Sequence, residues 1–239
     1  MRQPVQLVVA GRTDAGVHAS GQVAHVDVPR SILSTRSIHN DPSTLVSRFT
    51  RLLRPDVRIR VCSFAPDGFD ARFSALRRHY VYRVTTNRAG ALPTRARDTA
   101  VWGRPVDLDA MNNAAEVLVG LHDFAAFCRA RPHATTIREL QNFSWHDVST
   151  AAEPDVYEAH VTADAFCWNM VRSIVGASLA VGEGKRPDGF MEDMLAHESR
   201  HPMVPVAPAN GLTLTGVDYP ADDKLAARAE QTRGIRSLD

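Results

Sequence analysis

At 239 residues with 44% hydrophobic content, the chain is long enough for one large or two small domains, each with a buried core. The opening MRQPVQLVVAG holds an apolar run too short for a signal peptide, and no later run approaches a membrane span, so a soluble cytoplasmic protein is expected. The formal net charge of +1 hides an asymmetry: residues 1–105 carry seventeen arginines and seven aspartates with no lysine or glutamate, about +10, leaving about −9 for the remainder.

In chain order, Gln6–Ala10 and the alternating Gly21–Val28 read as strands. Between them, AGRTDAGVHASGQ (10–22) holds a lone carboxylate, Asp14, close to Arg12. Asp-Ala-Gly suits a turn, because Asp can bond backbone just ahead of it and Gly16 accepts positive φ. That turn either reverses the chain or presents Asp14 and Arg12 to a substrate. Asp41 and Pro42 start a helix as N-cap and first-turn proline, continued by LVSRFTRLL. VRIRVCSF (57–64) alternates and predicts a strand closed by the PDG turn, and HYVYRVTTN (79–87) predicts another. The Pro-, Arg- and Gly-rich stretch 88–105 marks a boundary between an N-terminal half, 1–100, and a C-terminal half, 101–220.

In the second half, DLDAMNNAAEVLVG predicts a capped helix ending at Gly120, while IRELQNFSWHDV and VYEAHVTAD read as two strands of a meander. NMVRSIVGASLAVG (169–182) is a strongly apolar helix with one charge, Arg172. That guanidinium needs water or a partner carboxylate, since burying it unpaired is very costly. LTLTGVDY closes as a strand, and the charged tail 221–239 is expected to be solvated or frayed. The two PDGF tetrapeptides, at 66–69 and 187–190, read as turns rather than a repeat.

An arginine-rich half with an acidic counterweight fits a protein that meets a polyanion on one surface. A bias of arginine over lysine, 26 to 2, explains the choice of Arg but not the scarcity of acids beside it. Cys62, Cys128 and Cys167 are odd in number and far apart, which suggests neither a disulfide framework nor a thiolate zinc site. His197-Glu198-Ser199-Arg200-His201 satisfies the helical zinc pattern H-E-x-x-H. Pro202 argues against it, because the residue before proline is pushed out of the α region and His201 falls past the helix end.

Three separated segments, AGRTDAGVHASGQV (10–23), FDARFSALRRHYVYRV (69–84) and AFCWNMVRSIVGASLAVG (165–182), resemble the TruA family of tRNA pseudouridine synthases in order and spacing. LVGLHDFAAFC and GLTLTGVDYP resemble its connecting segments, so the likeness runs from about Val5 to Pro220. The resemblance implies isomerisation of uridine to pseudouridine in the anticodon stem-loop, at tRNA positions 38 to 40, without cofactor or metal. It implies an α+β fold of two ferredoxin-like or RRM-like halves whose antiparallel sheets meet around a basic cleft. It also implies a homodimer.

The reaction breaks the bond between uracil N1 and ribose C1′, turns the base, and joins C5 to the same carbon. It needs a carboxylate near the ribose, either as nucleophile at C1′ or to assist loss of the 2′ proton in a glycal route. Asp14 matches the family's carboxylate. Arg172, matching the arginine of M-V-R, is the implied cation beside it, which would account for the single charge on an apolar helix. Tyr80 matches the tyrosine that stacks on the flipped uracil and serves as a possible proton-transferring base. The residue-level alternative is a strand aromatic facing the core with Tyr82, two residues on. Arg12 is expected to hold the displaced backbone or the vacated stack. Arg72, Arg77, Arg78 and Arg83 are candidate phosphate contacts, a role that a solvated strand edge would mimic.

Family members place a full strand and helix before the GRTD motif, whereas thirteen residues precede Asp14 here. If Met1 is an internal start, the N-terminal sheet loses a strand and exposes an edge, and poor solubility or weak activity is expected. The competing readings are an RNA-binding homologue that has lost turnover and a zinc hydrolase at HESRH.

Overall fold

The computed structural model describes residues 5–36, 38–131 and 134–234. Strands β1 (Leu7–Val9) and β3 (Ala24–Val26) pair antiparallel with Val8 opposite His25, and the chain between them carries Asp14 and the short β2 (His18–Ala19). A short helix α1 (Arg30–Leu33) follows. Asp41 then caps a 3-10 turn, its side chain accepting from Ser43 N at 2.9 Å, and the turn runs into α2 (Leu45–Leu52) as the Asp-Pro signal predicts.

No strand forms over residues 57–64. Alternation makes a pleated surface, but a ladder also needs a neighbour with a free edge. The segment pairs with no strand among the described residues and leaves Val61 78% and Phe64 62% exposed.

The main sheet contains β4 (Arg77–Thr85), β5 (Ala100–Val101), β6 (Gly120–Asp123), β7 (Ile137–Asp147), β8 (Val156–Ala163) and β9 (Leu212–Asp218) together with β2. Its order is β2-β9-β4-β8-β7-β6, with β5 added at the end of β4. The β2–β9 and β4–β5 pairs are parallel and the others antiparallel, so the fold is mixed α+β. Strand β4, from the first hundred residues, lies between β8 and β9 from the second half, with Tyr80 opposite both Val161 and Leu214.

Side chains 78, 80, 82 and 84 of β4 are buried, as the two-residue period of a strand requires. This face is covered by α3 (Leu108–Glu116) and α4 (Met170–Gly182), with α5 (Phe190–Leu195) beside them. Asp107 caps α3 by accepting from Ala110 N at 3.0 Å. Tyr82, Leu140, Ile174, Leu179 and Leu214 are fully buried, each aliphatic member contributing roughly 1.5–3 kcal/mol. Within this core Trp145 Nε1 donates to Ser178 Oγ at 2.9 Å, and that hydroxyl donates to Met111 O at 3.1 Å. Among the described residues, no helix is long and apolar enough to cross a membrane.

Two sequence expectations need correction here. The tail is not frayed over its first part: α6 (Leu225–Arg233) buries Leu225 and Ala229, one helical turn apart. Leu225 O accepts from Ser74 Oγ at 3.1 Å, and Arg228 Nε donates to Ala75 O at 3.3 Å. Residues 235–239 of that tail lie outside the described residues. Cys128 and Cys167, 39 apart in sequence, are joined as a disulfide with Cα atoms 5.7 Å apart, a pairing that spacing alone does not reveal. The HESRH segment lies past the end of α5, as Pro202 suggests, with the His197 and His201 rings tilted at 34° and 4.5 Å apart, so the two imidazoles do not stand one turn apart on a helix.

Candidate active site

A cleft of about 800 Å³ brings together the 6–17 segment, the 70–80 segment, and the stretch from Asp164 to Arg172. Asp14, Arg12, Arg72, Arg78, Tyr80 and Arg172 all line it. The Asp14 turn forms as its residues predict: Val17 N donates to Asp14 O at 2.9 Å, and Gly16 takes φ +86°. Gly21 seats the far end of the loop against β9, its N–H reaching Leu214 O at 3.1 Å; a Cβ there would collide with the Thr215 carbonyl. The carboxylate is exposed to the cleft, and its Oδ2 accepts a hydrogen bond from Trp168 Nε1 at 3.1 Å.

Tyr80 sits where the core meets the cleft, only 8% exposed, with Phe166 edge-on to its ring at 5.1 Å. Tyr80 shares the core face with Tyr82 and also lines the cleft. Burial pushes its phenol up to about 12; the Arg78 charge pulls it back and the Asp14 charge adds to the rise. Near neutrality the group is an O–H donor.

The connection from β8 to α4 braces this arrangement residue by residue. Asp164 O accepts from Arg78 Nη1 at 2.6 Å, and Asp164 Oδ1 accepts from Glu139 N and Ala165 N. Phe166 meets Tyr80, Cys167 is bridged to Cys128, and Trp168 reaches Asp14. Asn169 then takes the left-handed conformation, φ 69°, which turns the chain into α4.

The structure reassigns several arginines. The ion pair expected between Arg172 and Asp14 is not formed. Arg172 Nε donates instead to Ala207 O at 2.7 Å, and its charge acts on Tyr82, whose phenol burial pushes up and Arg172 pulls back. Arg78 is not a free phosphate contact. It is 6% exposed, and its guanidinium donates to Ala10 O, Asp164 O and Arg72 O, tying three segments of the cleft together. Arg77 is outside the cleft lining and pairs with Asp218 at 3.2 Å. Arg83 is buried in ion pairs with Glu153 and Glu158 at 2.9 and 2.8 Å. Arg12 and Arg72 keep exposed positions on the cleft, Arg72 lying over the Phe73 ring at 4.9 Å.

Sequence reasoning overlooked Trp168, Arg129 and Arg131. Both guanidinium groups lie over the Trp168 indole, at 4.2 and 4.4 Å from ring atoms' centroid, and Arg129 N donates to Trp168 O at 2.9 Å. An available signal was a tryptophan standing in the short connection before an apolar helix.

A family model described as tRNA pseudouridine synthase matches residues 114–220. The tRNA pseudouridine synthase A of Corynebacterium glutamicum is 64% identical, the match covering 100% of this chain and 82% of that protein. Those of Mycobacterium leprae and Frankia casuarinae are each 53% identical, covering 99% and 97% of this chain and 83% and 80% of theirs. The cleft that gathers Asp14, Tyr80 and Arg172 thus occurs in a chain that belongs to the tRNA pseudouridine synthase A family.

Proposed function

We propose that this chain isomerises uridine to pseudouridine in tRNA, with Asp14 as the carboxylate that acts at the ribose. The observation that carries this reading is the meeting of Asp14 and Tyr80 in one arginine-lined cleft, in a chain of this family. The N1–C1′ bond breaks, the base turns, and C5 joins C1′; the C5 proton is released and N1 regains one, so no group is gained or lost. Asp14, exposed to the cleft, serves either as nucleophile at C1′ or as the base that assists loss of the 2′ proton.

Tyr80, protonated near neutrality and lining the cleft, meets the flipped base with its ring and donates its O–H to one of the base's carbonyls, which favours the stacking and donor role over that of a base. Arg172 contributes positive charge to the cleft wall from α4, and Arg12 fills the space the flipped base vacates. Arg72, Arg129 and Arg131 meet phosphates of the stem. On this reading the sheet to which both halves contribute strands joins two ferredoxin-like units, the basic cleft takes the anticodon stem-loop, and the targets are positions 38 to 40. A homodimer completes the groove.

The test is pseudouridine formation in an unmodified tRNA transcript, comparing wild type with Asp14→Asn, which keeps the size and removes the anion. Product from wild type alone, with tRNA bound equally by both, supports the assignment. Replacing uridines 38, 39 and 40 singly by cytidine reads out the target. An Asp14→Asn chain with full activity would overturn the role of the carboxylate, and binding without product from either chain would favour an RNA binder that does not turn over.

A further inference from the structure

We infer that Trp168 is a positioning residue for the reaction: its indole N–H holds Asp14 by one oxygen and leaves the other free for the ribose. This rests on the reading of Asp14 as the reacting carboxylate. Asp14 is exposed on a loop, and the described residues tie its side chain at one point, Trp168 Nε1 to Oδ2 at 3.1 Å. An exposed carboxylate otherwise samples several rotamers, and each unproductive one lowers the fraction of molecules ready to react.

An indole suits the task chemically. It is a donor only, so it offers no competing acceptor, and it is neutral, so it orients the anion without forming an ion pair that would blunt its reactivity. It also carries no proton that titrates near neutrality. The indole is itself fixed from several sides. Arg129 and Arg131 lie over the ring, and positive charge over the π-system draws electron density from it and polarises the N–H. Arg129 N holds the Trp168 carbonyl, and the bridge between Cys128 and Cys167 joins the two residues immediately before this pair. Asn169, in the left-handed conformation, separates the indole from α4 and so frees it from the direction the helix would impose. The side chain that orients Asp14 is thus braced by groups that do not touch Asp14.

Two replacements test this. Trp168→Phe keeps an aromatic ring beneath the arginines and removes the donor. Benzothienylalanine at position 168, with sulfur in place of the ring N–H, keeps the size as well and guards against a packing loss in Trp168→Phe. Single-turnover and steady-state pseudouridine formation are measured with tRNA binding and thermal unfolding. The expected result for both is kcat about tenfold lower, with KM and tRNA affinity within about twofold of wild type, as for a group that orients rather than binds. A wild-type kcat in the benzothienylalanine protein would overturn the inference, and so would a raised KM with kcat unchanged, which would make Trp168 an RNA contact. Asp14→Asn run alongside separates the two readings. If it stays active, the carboxylate assignment fails; if it is dead while both Trp168 replacements turn over normally, only the positioning role fails.

Discussion

Arg78→Met separates a structural arginine from an RNA-binding one. The guanidinium is buried, and its N–H groups serve carbonyls at Ala10, Arg72 and Asp164, which belong to three different segments. A hydrogen bond to a charged group is worth roughly 1.5–3 kcal/mol, and a buried acceptor left without a donor costs about 1–3 kcal/mol. Methionine retains most of the aliphatic length, so the packing loss is small. Removing the charge also relieves the burial that pulls this guanidinium's pKa below its ordinary value, which offsets part of the loss. With about 2 kcal/mol for each carbonyl and about 2 kcal/mol returned by the relief of desolvation, the net loss is about 4 kcal/mol. For a chain of this size that lowers Tm by about 8–16 °C. Thermal unfolding by circular dichroism reads the shift, and tRNA binding across a salt series is measured on the same preparations. If Tm moves by less than about 2 °C while the salt slope of binding falls by about 0.9, Arg78 neutralises a phosphate and the clamp reasoning is wrong.

Four further outcomes are expected. Arg77→Ala, which breaks an exposed pair with Asp218, changes stability by less than about 1 kcal/mol and leaves tRNA affinity near wild type, whereas Arg131→Ala weakens binding most at low salt; equal losses from both in a filter-binding assay would contradict the placement. Gly21→Ala drives a Cβ into the Thr215 carbonyl and destabilises by about 1–3 kcal/mol in urea unfolding; unchanged stability would show that the loop does not rest on β9. Burial holds the Tyr80 and Tyr219 phenols at about 12 against an ordinary 10.0, so between those values the unfolded chain has lost protons that the native one keeps. Their contribution is therefore complete below pH 10 and lost as pH rises towards 12; stability that increased over that range would refute the burial. Thiol titration of the unreduced native protein is expected to find Cys62 alone, where three reactive thiols would refute the bridge.

The parts of this protein legible in its residues are those governed by near neighbours. The Asp14 turn follows from Asp-Ala-Gly, the cap at Asp41 from Asp-Pro, and the cap at Asp107 from its place before an apolar repeat. Alternation marks β4, β7, β8 and β9, because half-buried strands must alternate. Asp14 and Tyr80 were picked out by the segments that resemble the tRNA pseudouridine synthase family, and both line the cleft. Alternation at 57–64 looked the same but formed no strand, since a ladder depends on a neighbour that local pattern does not describe.

The choice of partner for each charge lies beyond such reasoning. Arg77, Arg78 and Arg83 look alike in a basic segment, yet one pairs at the surface, one clamps backbone and one is buried between two glutamates. The net charge of the second half is negative, yet Arg129, Arg131 and Arg172 from that half line the same cleft as Arg12 and Arg72. The sequence by itself determined the long strands β4, β7, β8 and β9, the apolar helix α4, the Asp14 turn and the family. Only the tertiary structure decided that Trp168, 154 positions away, reaches Asp14. The physical reason is that propensity and capping act over a few residues, whereas hydrogen bonds and ion pairs are settled by whichever groups the folded chain brings within about 3–4 Å.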